Sequence, residues 1–265
     1  MATMHRSAAI PDQPRDEILR GLRPFNAALA LVHAAQAVAI LLLSADVTLP
    51  VTAGFLEGPP GSDAEMGSTV LWDLPVAPAV ALFLALAAVD HGLMAGPLRR
   101  WYEDSLLQGV NPARWLEYSV SASLMVVLIA MLSGTSDATA LIAIFGVNTA
   151  MILFGWLMER TNRPGEVPDW RPFWFGCVAG AVPWIAITLQ LAVSQSETDS
   201  VPTFVFAIFV TLFLLFNSFA LNQWLQYRGR GRWANYVYGE RVYLVLSLVA
   251  KSALAWQVFC GTLAG

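Results

Sequence analysis

The chain has 265 residues, of which 57% are hydrophobic and only 13% are charged, and its mean hydropathy is +0.58. This composition excludes an ordinary soluble domain and is typical of a protein that crosses a membrane several times. The net charge of −4 says little until the charges are sorted by their place between the apolar runs.

The chain begins with a polar stretch, residues 1–23, which carries four arginines and does not resemble a cleavable signal peptide. Seven apolar runs follow, each long enough to cross about 30 Å of hydrocarbon. They cover about residues 25–45, 74–95, 112–133, 138–158, 172–194, 202–226 and 241–263. The pattern predicts an all-α membrane protein, a seven-transmembrane-helix bundle that forms a single domain over residues 1–265.

The connection between the first two runs, residues 46–73, is long and acidic. Two short segments rich in β-forming residues flank a Gly-Pro-Pro-Gly turn at 58–61. This arrangement predicts a small β-hairpin, and an irregular loop is the alternative.

The arginines are distributed very unevenly between the two sides of the predicted bundle. All fourteen lie at the N-terminus or around the second–third, fourth–fifth and sixth–seventh connections, and the other connections and the C-terminus have none. Because cytoplasmic segments are rich in basic residues, we expect a cytoplasmic N-terminus and an extracellular C-terminus. The predicted location is the cell (plasma) membrane, with multiple passes.

Lys251 is the only lysine of the chain, and it lies in the apolar run from Tyr243 to Leu263. A charged amine at this depth costs about 2.5–3.5 kcal/mol on insertion scales, so it needs a partner or a function. The predicted spans also contain two carboxylates, Glu117 and Asp90. Glu117 is the expected partner of Lys251, and Arg114, one turn earlier, is expected to stabilise Glu117 as an anion. The amine indicates a covalent Schiff base, and a purely structural ion pair is the alternative.

Several segments narrow this interpretation. They are RWLEYSVSASLM, AIFGVN with MILFGW, PFWFGC with VPW, LFNSFAL with LQYRGRGRW, GERVYLVLSLVAKSALAW and GFLEGPPG. Together with seven helices and a lysine in the last one, they resemble heliorhodopsins across nearly the whole chain. That family is known for a cytoplasmic N-terminus, the orientation that the arginines indicate independently.

The resemblance implies roles for individual residues. Lys251 would bind all-trans retinal as a protonated Schiff base, Glu117 would be its counterion, and Ser247, one turn before the lysine, could donate or accept a hydrogen bond there. A polar, hydrated cavity near the counterion would include a set of residues from the first three helices and from the connection between the second and the third. These are His33, His91, Tyr102, Arg114, Trp115 and Tyr118. Each histidine taken alone would more often be a hydrogen-bonded packing residue, and the family context makes the two interpretations about even. Asp90 is not expected from the family pattern.

The resemblance also suggests residues for the wall of the chromophore site. The main candidates are Met125, Asn148, Trp184 and Phe216, and the further candidates are Ile152, Asn217 and Trp256. An aromatic stripe in a membrane bundle can also be simple packing.

We expect a light sensor with a slow photocycle, isomerisation from all-trans to 13-cis, and no net ion pumping. Beyond Glu117 the third helix offers Ser119, Ser121 and Ser123, and then only apolar residues. The expected partners are the lipid bilayer, an unidentified signalling partner and, from the resemblance alone, a second copy in a homodimer. No nucleic-acid partner is expected.

Three alternatives remain. The first is a light-driven or light-gated ion (proton) transporter. The second is a scaffold or receptor without pigment, in which Lys251 only pairs with Glu117. The third is an intramembrane enzyme, which we do not expect because the sequence has no metal-type His/Cys cluster and no evident nucleophile–base pair.

Overall fold

The computed structural model describes residues 15–63, 65–198 and 201–264, apart from the side chains of Asp16 and Thr198. Arg6, one of the arginines used for the orientation, lies outside the described residues. Seven described helices are long and apolar enough to cross a membrane. They are α1 (Leu22–Leu43), α2 (Val76–Ala95), α3 (Pro112–Leu132), α4 (Ala138–Thr161), α5 (Arg171–Thr198), α6 (Thr203–Arg228) and α7 (Tyr236–Val258). The predicted seven-helix bundle is confirmed.

The helix bounds differ from the predicted apolar runs most at the start of α7, at the end of α4 and at the end of α5, which continues to Thr198 rather than ending at 194. Helix α7 begins at Tyr236 rather than at 241, because the Asn235 side chain caps it by accepting a hydrogen bond from Val237 N at 2.9 Å. Helix α4 continues to Thr161 rather than ending at 158. Polar residues of these terminal turns are helical although they are not part of the apolar runs.

Short elements that the apolar pattern did not predict lie between the spans. The connecting helix, Arg99–Leu107, joins α2 to α3. One turn of helix, Arg15–Ile18, precedes α1, and a 3₁₀ turn, Gly231–Ala234, precedes α7. Helix α7 ends in a π-helical turn, Phe259–Leu263.

The predicted β-hairpin is confirmed. Strands β1 (Thr48–Leu56) and β2 (Met66–Pro75) pair antiparallel, with an irregularity between Val51 and Thr52. The hairpin docks on the connection between α3 and α4, where Thr52 N donates to Ser136 O at 2.8 Å. It therefore covers one end of the bundle.

We call this end the hairpin end, and the opposite end, where α1, α3, α5 and α7 begin, the arginine end. Sequence neighbours α1 to α5 pack successively, α6 packs on α7, and α7 returns to α1. Helices α5 and α6 meet through aromatic side chains, with Trp184 against Phe213 and Phe216. The largest apolar core fills the bundle from its middle to the hairpin end, around Met125, Ile129 and Leu254.

Candidate functional site

Lys251 lies in the middle of α7, and its side chain is 4% exposed. Its Nζ donates to Glu117 Oε2 at 3.2 Å and to Ser247 Oγ at 2.9 Å. It also lies 4.9 Å from the centre of the Tyr118 ring, a distance that allows a cation–π contact. Ser247 precedes Lys251 by one helical turn and so shares its face of α7. The structure thus brings together the predicted lysine, glutamate and serine.

A cavity of about 460 Å³ opens beside Lys251, between α3, α4, α5, α6 and α7. Its wall contains three of the four main predicted residues, Met125, Trp184 and Phe216, and two of the further ones, Ile152 and Asn217. Trp184 contacts Phe213 and Phe216 edge to face, with ring centroids 5.3 and 5.7 Å apart. The wall is predominantly apolar and aromatic, with the Lys251 amine among its few polar groups.

Two predicted wall residues lie elsewhere. Asn148 does not line the cavity, because its amide turns toward α3 and donates to Ser123 Oγ at 3.0 Å. Trp256 is 37% exposed, and its indole N–H donates to Gln36 Oε1 on α1 at 3.0 Å. In each case the polar group of the side chain forms a hydrogen bond outside the cavity. The position of the residue along its helix could not indicate this partner.

The predicted histidines form a stacked pair between α1 and α2. The rings of His33 and His91 lie 5.7 Å apart and nearly parallel, and both residues are buried. His91 Nδ1 lies 2.9 Å from Asn26 Oδ1 and 4.0 Å from Asp90 Oδ2. Both ring nitrogens of His33 are buried without a hydrogen-bond partner in the described structure. Unsatisfied buried nitrogens of this kind favour ordered water, which fits the predicted polar cavity.

Arg114 does not contact Glu117, contrary to the prediction that it stabilises this glutamate. Its guanidinium pairs with Glu159 of α4 and Glu240 of α7, and not with Glu117. It also stacks on the Tyr243 ring, with Cζ 3.9 Å from the ring centre. The ends of α3, α4 and α7 meet at this point, so the long side chain reaches two acids across helices. Glu117, one turn further along α3, faces Lys251 instead.

Glu159 and Glu240 are the two site residues that the sequence reasoning missed. Both are buried, with 2% and 1% exposure. Glu159 also accepts from Asn111 N at 2.9 Å, Trp115 Nε1 at 2.6 Å and the Tyr236 hydroxyl at 3.2 Å. The acids lie just outside the predicted apolar runs, so they were not counted among the buried charges. Their burial could have been suspected from the sequence, since Glu159 and Glu240 lie one residue beyond the predicted ends of their apolar runs.

The remaining predicted residues of the polar cavity are divided between different surroundings. Trp115 lines the main cavity and donates to Glu159. Tyr118 also lines it, and its hydroxyl donates to Tyr243 O at 3.1 Å. Tyr102, on the connecting helix, packs in a separate apolar cluster at the arginine end, and burial raises the pKa of its phenol. The predicted polar-cavity residues are therefore spread over several places: the histidines pair between α1 and α2, Trp115 and Tyr118 line the main cavity, and Tyr102 lies apart from both.

The cavity and its amine fit a specific kind of ligand. Its volume falls within the range of about 300–1,000 Å³ that is usual for small-molecule sites. An amine can condense with an aldehyde to form a Schiff base, and the apolar aromatic wall suits a long hydrocarbon chain. Retinal has both properties, so the residues present fit it. Seven membrane-spanning helices around such a site define a retinal protein of the rhodopsin type.

The comparison with known families agrees with this class. The family model described as Heliorhodopsin matches residues 22–263, nearly the whole chain. The chain therefore belongs to the heliorhodopsin family. It is a light-sensing retinal protein of the membrane, and in this family retinal is bound through a lysine Schiff base. No curated protein was found to match the chain.

Proposed function

We propose that this heliorhodopsin is a light sensor in which Lys251 holds all-trans retinal, Glu117 is the counterion, and no net ion crosses the membrane. The observation that carries the proposal is the position of the only lysine. Its Nζ lies 3.2 Å from Glu117 in the wall of an apolar cavity. We further propose that residues 1–265 form one retinal-binding domain.

Retinal bound at Lys251 would supply light absorption and isomerisation from the all-trans to the 13-cis form. The residues of the chain would hold and exchange the proton on the linking nitrogen. Glu117 is the one carboxylate within hydrogen-bond distance of Lys251 Nζ in the described structure. Ser247 can share that hydrogen bond, but a hydroxyl cannot neutralise the charge. Glu117 therefore carries the counterion role without a second acid.

The described residues toward the hairpin end include no carboxylate deep in the bundle. Beyond Glu117, α3 presents buried Ser121 and Ser123 and then an apolar stretch that includes Leu128. All described acids of this end lie in the hairpin, in connections or in the last turn of α5. They are Asp46, Glu57, Asp63, Glu65, Asp73, Asp137 and Glu197. A proton that leaves the Lys251 site therefore meets no carboxylate among the described residues of the bundle interior on this side.

The side toward the arginine end offers acceptors instead. Glu117 Oε1 and both nitrogens of His33 are buried without partners in the described structure. His91 stacks on His33, and Asp90 lies 4.0 Å from His91. A proton released on this side would also return from it, so one cycle would move no net charge across the membrane. This argument favours a sensor over a pump.

We place the arginine end in the cytoplasm, because all thirteen described arginines belong to that side. A light-driven change there would be read by a signalling partner. We also propose a homodimer, on the strength of family membership, and the plasma membrane as the location.

The retinal linkage is tested by adding all-trans retinal to the purified protein. We expect a visible absorption band, and after borohydride reduction the label should be on Lys251. Lys251→Ala should abolish the band, and the neighbouring variant Ser252→Ala should keep it. A band that survives in Lys251→Ala, or a label on another residue, would overturn the proposal. Extraction of the chromophore before and after illumination identifies the isomers.

The absence of pumping is tested in illuminated vesicles that contain the pigment and an internal pH dye. We expect no sustained pH change, and flash spectroscopy of the same pigment should show a slow return to the dark state. A sustained change that a protonophore abolishes would establish the alternative, a light-driven proton transporter.

A further inference from the structure

A polar groove lies on the outside of the bundle at the arginine end, distinct from the retinal cavity. It forms where the start of α1, the turn Gly96–Pro97 and the connecting helix Arg99–Leu107 meet, and it encloses about 710 Å³. Its charged lining consists of four arginines and two acids: Arg15, Arg23, Arg99, Arg100, Glu103 and Asp104. The lining therefore carries an excess of two positive charges.

Two of these arginines are engaged with the two acids. Arg99 Nε lies 2.6 Å from Glu103 Oε1, and Arg15 Nη1 lies 2.7 Å from Asp104 Oδ1. Arg15 also reaches Glu103, at 3.4 Å, so the ion pairs tie the turn before α1 to the connecting helix. These contacts fix the wall of the groove. They also pair both acids of the lining, Glu103 and Asp104, with arginines.

The other two arginines, Arg23 and Arg100, are exposed and form no ion pair among the described residues. They belong to different walls, Arg23 to the second residue of α1 and Arg100 to the connecting helix. Two guanidinium groups without acids, facing one groove, suit an anion with several oxygens. Phosphate is the usual ligand of such a pair, because each guanidinium can donate two parallel hydrogen bonds.

The surroundings of the groove indicate where the phosphate would come from. Leu98 and Trp101 are 40% and 45% exposed beside it, as expected for a helix at the membrane–water interface. On α2, exposed Leu93 and Val89 continue from Pro97 toward the membrane interior at intervals of four residues. A headgroup in the groove would therefore have an apolar strip beneath it for its acyl chains.

We propose that this groove binds the phosphate headgroup of an anionic phospholipid. Arg23 and Arg100 hold the phosphate, the Arg15–Glu103–Arg99 ion pairs shape the site, and Leu93 and Val89 contact the chain. The site belongs to the leaflet at the arginine end and does not depend on light or retinal.

The test is native mass spectrometry of the full-length protein in detergent, without added retinal, titrated with dioleoylphosphatidylglycerol. We expect the phosphatidylglycerol to be retained more tightly than dioleoylphosphatidylcholine. The double variant Arg23→Gln, Arg100→Gln should bind it about 30-fold more weakly, which corresponds to about 2 kcal/mol for two interfacial arginines.

The matched control is Arg160→Gln, Arg230→Gln, which removes the same charge from exposed positions at the same end but outside the groove. It should bind phosphatidylglycerol as the unmodified protein does. An equal loss in both double variants would mean general charge attraction and would overturn the site. Displacement of the lipid by millimolar inorganic phosphate would show that the groove binds free phosphate rather than a lipid headgroup, and would overturn the proposal.

A conservative variant tests whether the glutamine variant loses lipid binding only because it misfolds. Arg23→Lys, Arg100→Lys keeps both charges but loses the paired hydrogen bonds, so an intermediate loss of about 3- to 10-fold is expected. Unchanged affinity in the lysine variant would overturn the proposed recognition by the guanidinium groups. Because no pigment is involved, failure here leaves the light-sensing proposal intact, and failure of that proposal leaves this one intact.

Discussion

Two buried charge clusters use the same two helices, α3 and α7, and their carboxylates differ in how fully they are hydrogen-bonded. At the Lys251 site, Glu117 uses one oxygen to accept from Nζ, and Oε1 is buried without a partner in the described structure. At the Arg114 cluster, every oxygen of Glu159 and Glu240 accepts at least one hydrogen bond. The two clusters are about 16 Å apart along α7.

This difference separates a carboxylate that can take up a proton or a water from carboxylates that hold helices together. Leaving an acceptor unsatisfied costs stability, so it persists most readily where a function uses it. We infer that Glu117 exchanges protons and that the Arg114 cluster clamps the ends of α3, α4 and α7.

Removal of the Arg114 charge should have the largest effect on stability. Arg114→Gln leaves Glu159 and Glu240 buried close to each other without a cation, which costs about 3–5 kcal/mol. The measurement is unfolding of the protein in mixed micelles by increasing denaturing detergent. Arg160→Gln, at an exposed position of the same end, should change stability by less than about 0.5 kcal/mol. Equal losses in the two variants would show that the cluster does not act as a clamp.

Neutralisation of Glu117 should act mainly on colour. Glu117→Gln removes the negative charge 3.2 Å from Nζ, and the absorption band should move to the red. The stability cost should be about 1.5–3 kcal/mol, the usual worth of a hydrogen bond to a charged group. Absorption spectra and the same unfolding assay measure both effects.

Asp90→Asn serves as the comparison for this variant. Asp90 contacts His91 at 4.0 Å rather than Lys251, so its neutralisation should shift the band less than Glu117→Gln does. A larger shift in Asp90→Asn, with little change in Glu117→Gln, would identify Asp90 rather than Glu117 as the counterion.

The sequence was sufficient for the features that depend on hydropathy and spacing. Seven apolar runs gave the seven helices, and the turn residues around Gly58 gave the hairpin. The pairing of Lys251 with Glu117 followed from the need of a buried amine for a partner, and the role of Ser247 followed from the family resemblance. The helices and the hairpin depend on local sequence. The pairing of Lys251 depends on the large free-energy cost of burying an unpaired charge.

The sequence was not sufficient where one residue had several possible partners. Arg114 stands one turn from Glu117, and that spacing favoured the wrong partner, because the meeting of α3 with α4 and α7 is not visible in one dimension. Asn148 was misplaced for the same reason, since Ser123 on α3 competes with the cavity for its amide. Glu159 and Glu240 were missed because hydropathy marks the end of an apolar run and not the end of a buried helix.

Gly155 links the two clusters, and its substitution should have an intermediate effect. An added Cβ at Gly155 would lie 2.4 and 2.6 Å from ring atoms of Trp115, the residue that both lines the retinal cavity and donates to Glu159. The ring must move, which costs about 1–3 kcal/mol, less the gain of about 1 kcal/mol in helix propensity. Retinal uptake should be weaker and slower, because the displaced ring narrows the cavity.

Gly146→Ala is the control on the same helix, where an added Cβ meets no atom within 4 Å. This variant should gain stability from helix propensity alone and bind retinal normally. Spectra recorded during a retinal titration compare the two variants. Normal uptake in Gly155→Ala would show that Trp115 can move without consequence for either cluster.

A surface carboxylate gives the smallest expected effect and a reference for both buried clusters. Asp137 caps α4 by accepting from Thr139 N and Ala140 N at 3.0 Å, and it accepts from Gly54 N of the hairpin at 3.4 Å. Hydrogen bonds from the Thr139 hydroxyl and from these backbone N–H groups hold the pKa of Asp137 below its usual range. Asp137→Ala should lower the unfolding midpoint slightly at neutral pH.

The pH dependence follows from the sign of that shift. Because the pKa of Asp137 is lower in the folded than in the unfolded protein, its contribution is complete above about pH 4 and is lost as the pH falls through the folded-state value. The difference between the original protein and Asp137→Ala should therefore shrink at pH 3, whereas exposed Asp46→Ala should show little difference at either pH. A difference that persists at pH 3 would mean that the Asp137 side chain supports the hairpin by packing rather than by its charge. Asp137 would then resemble neither buried cluster, since the carboxylates of both clusters face a basic side chain.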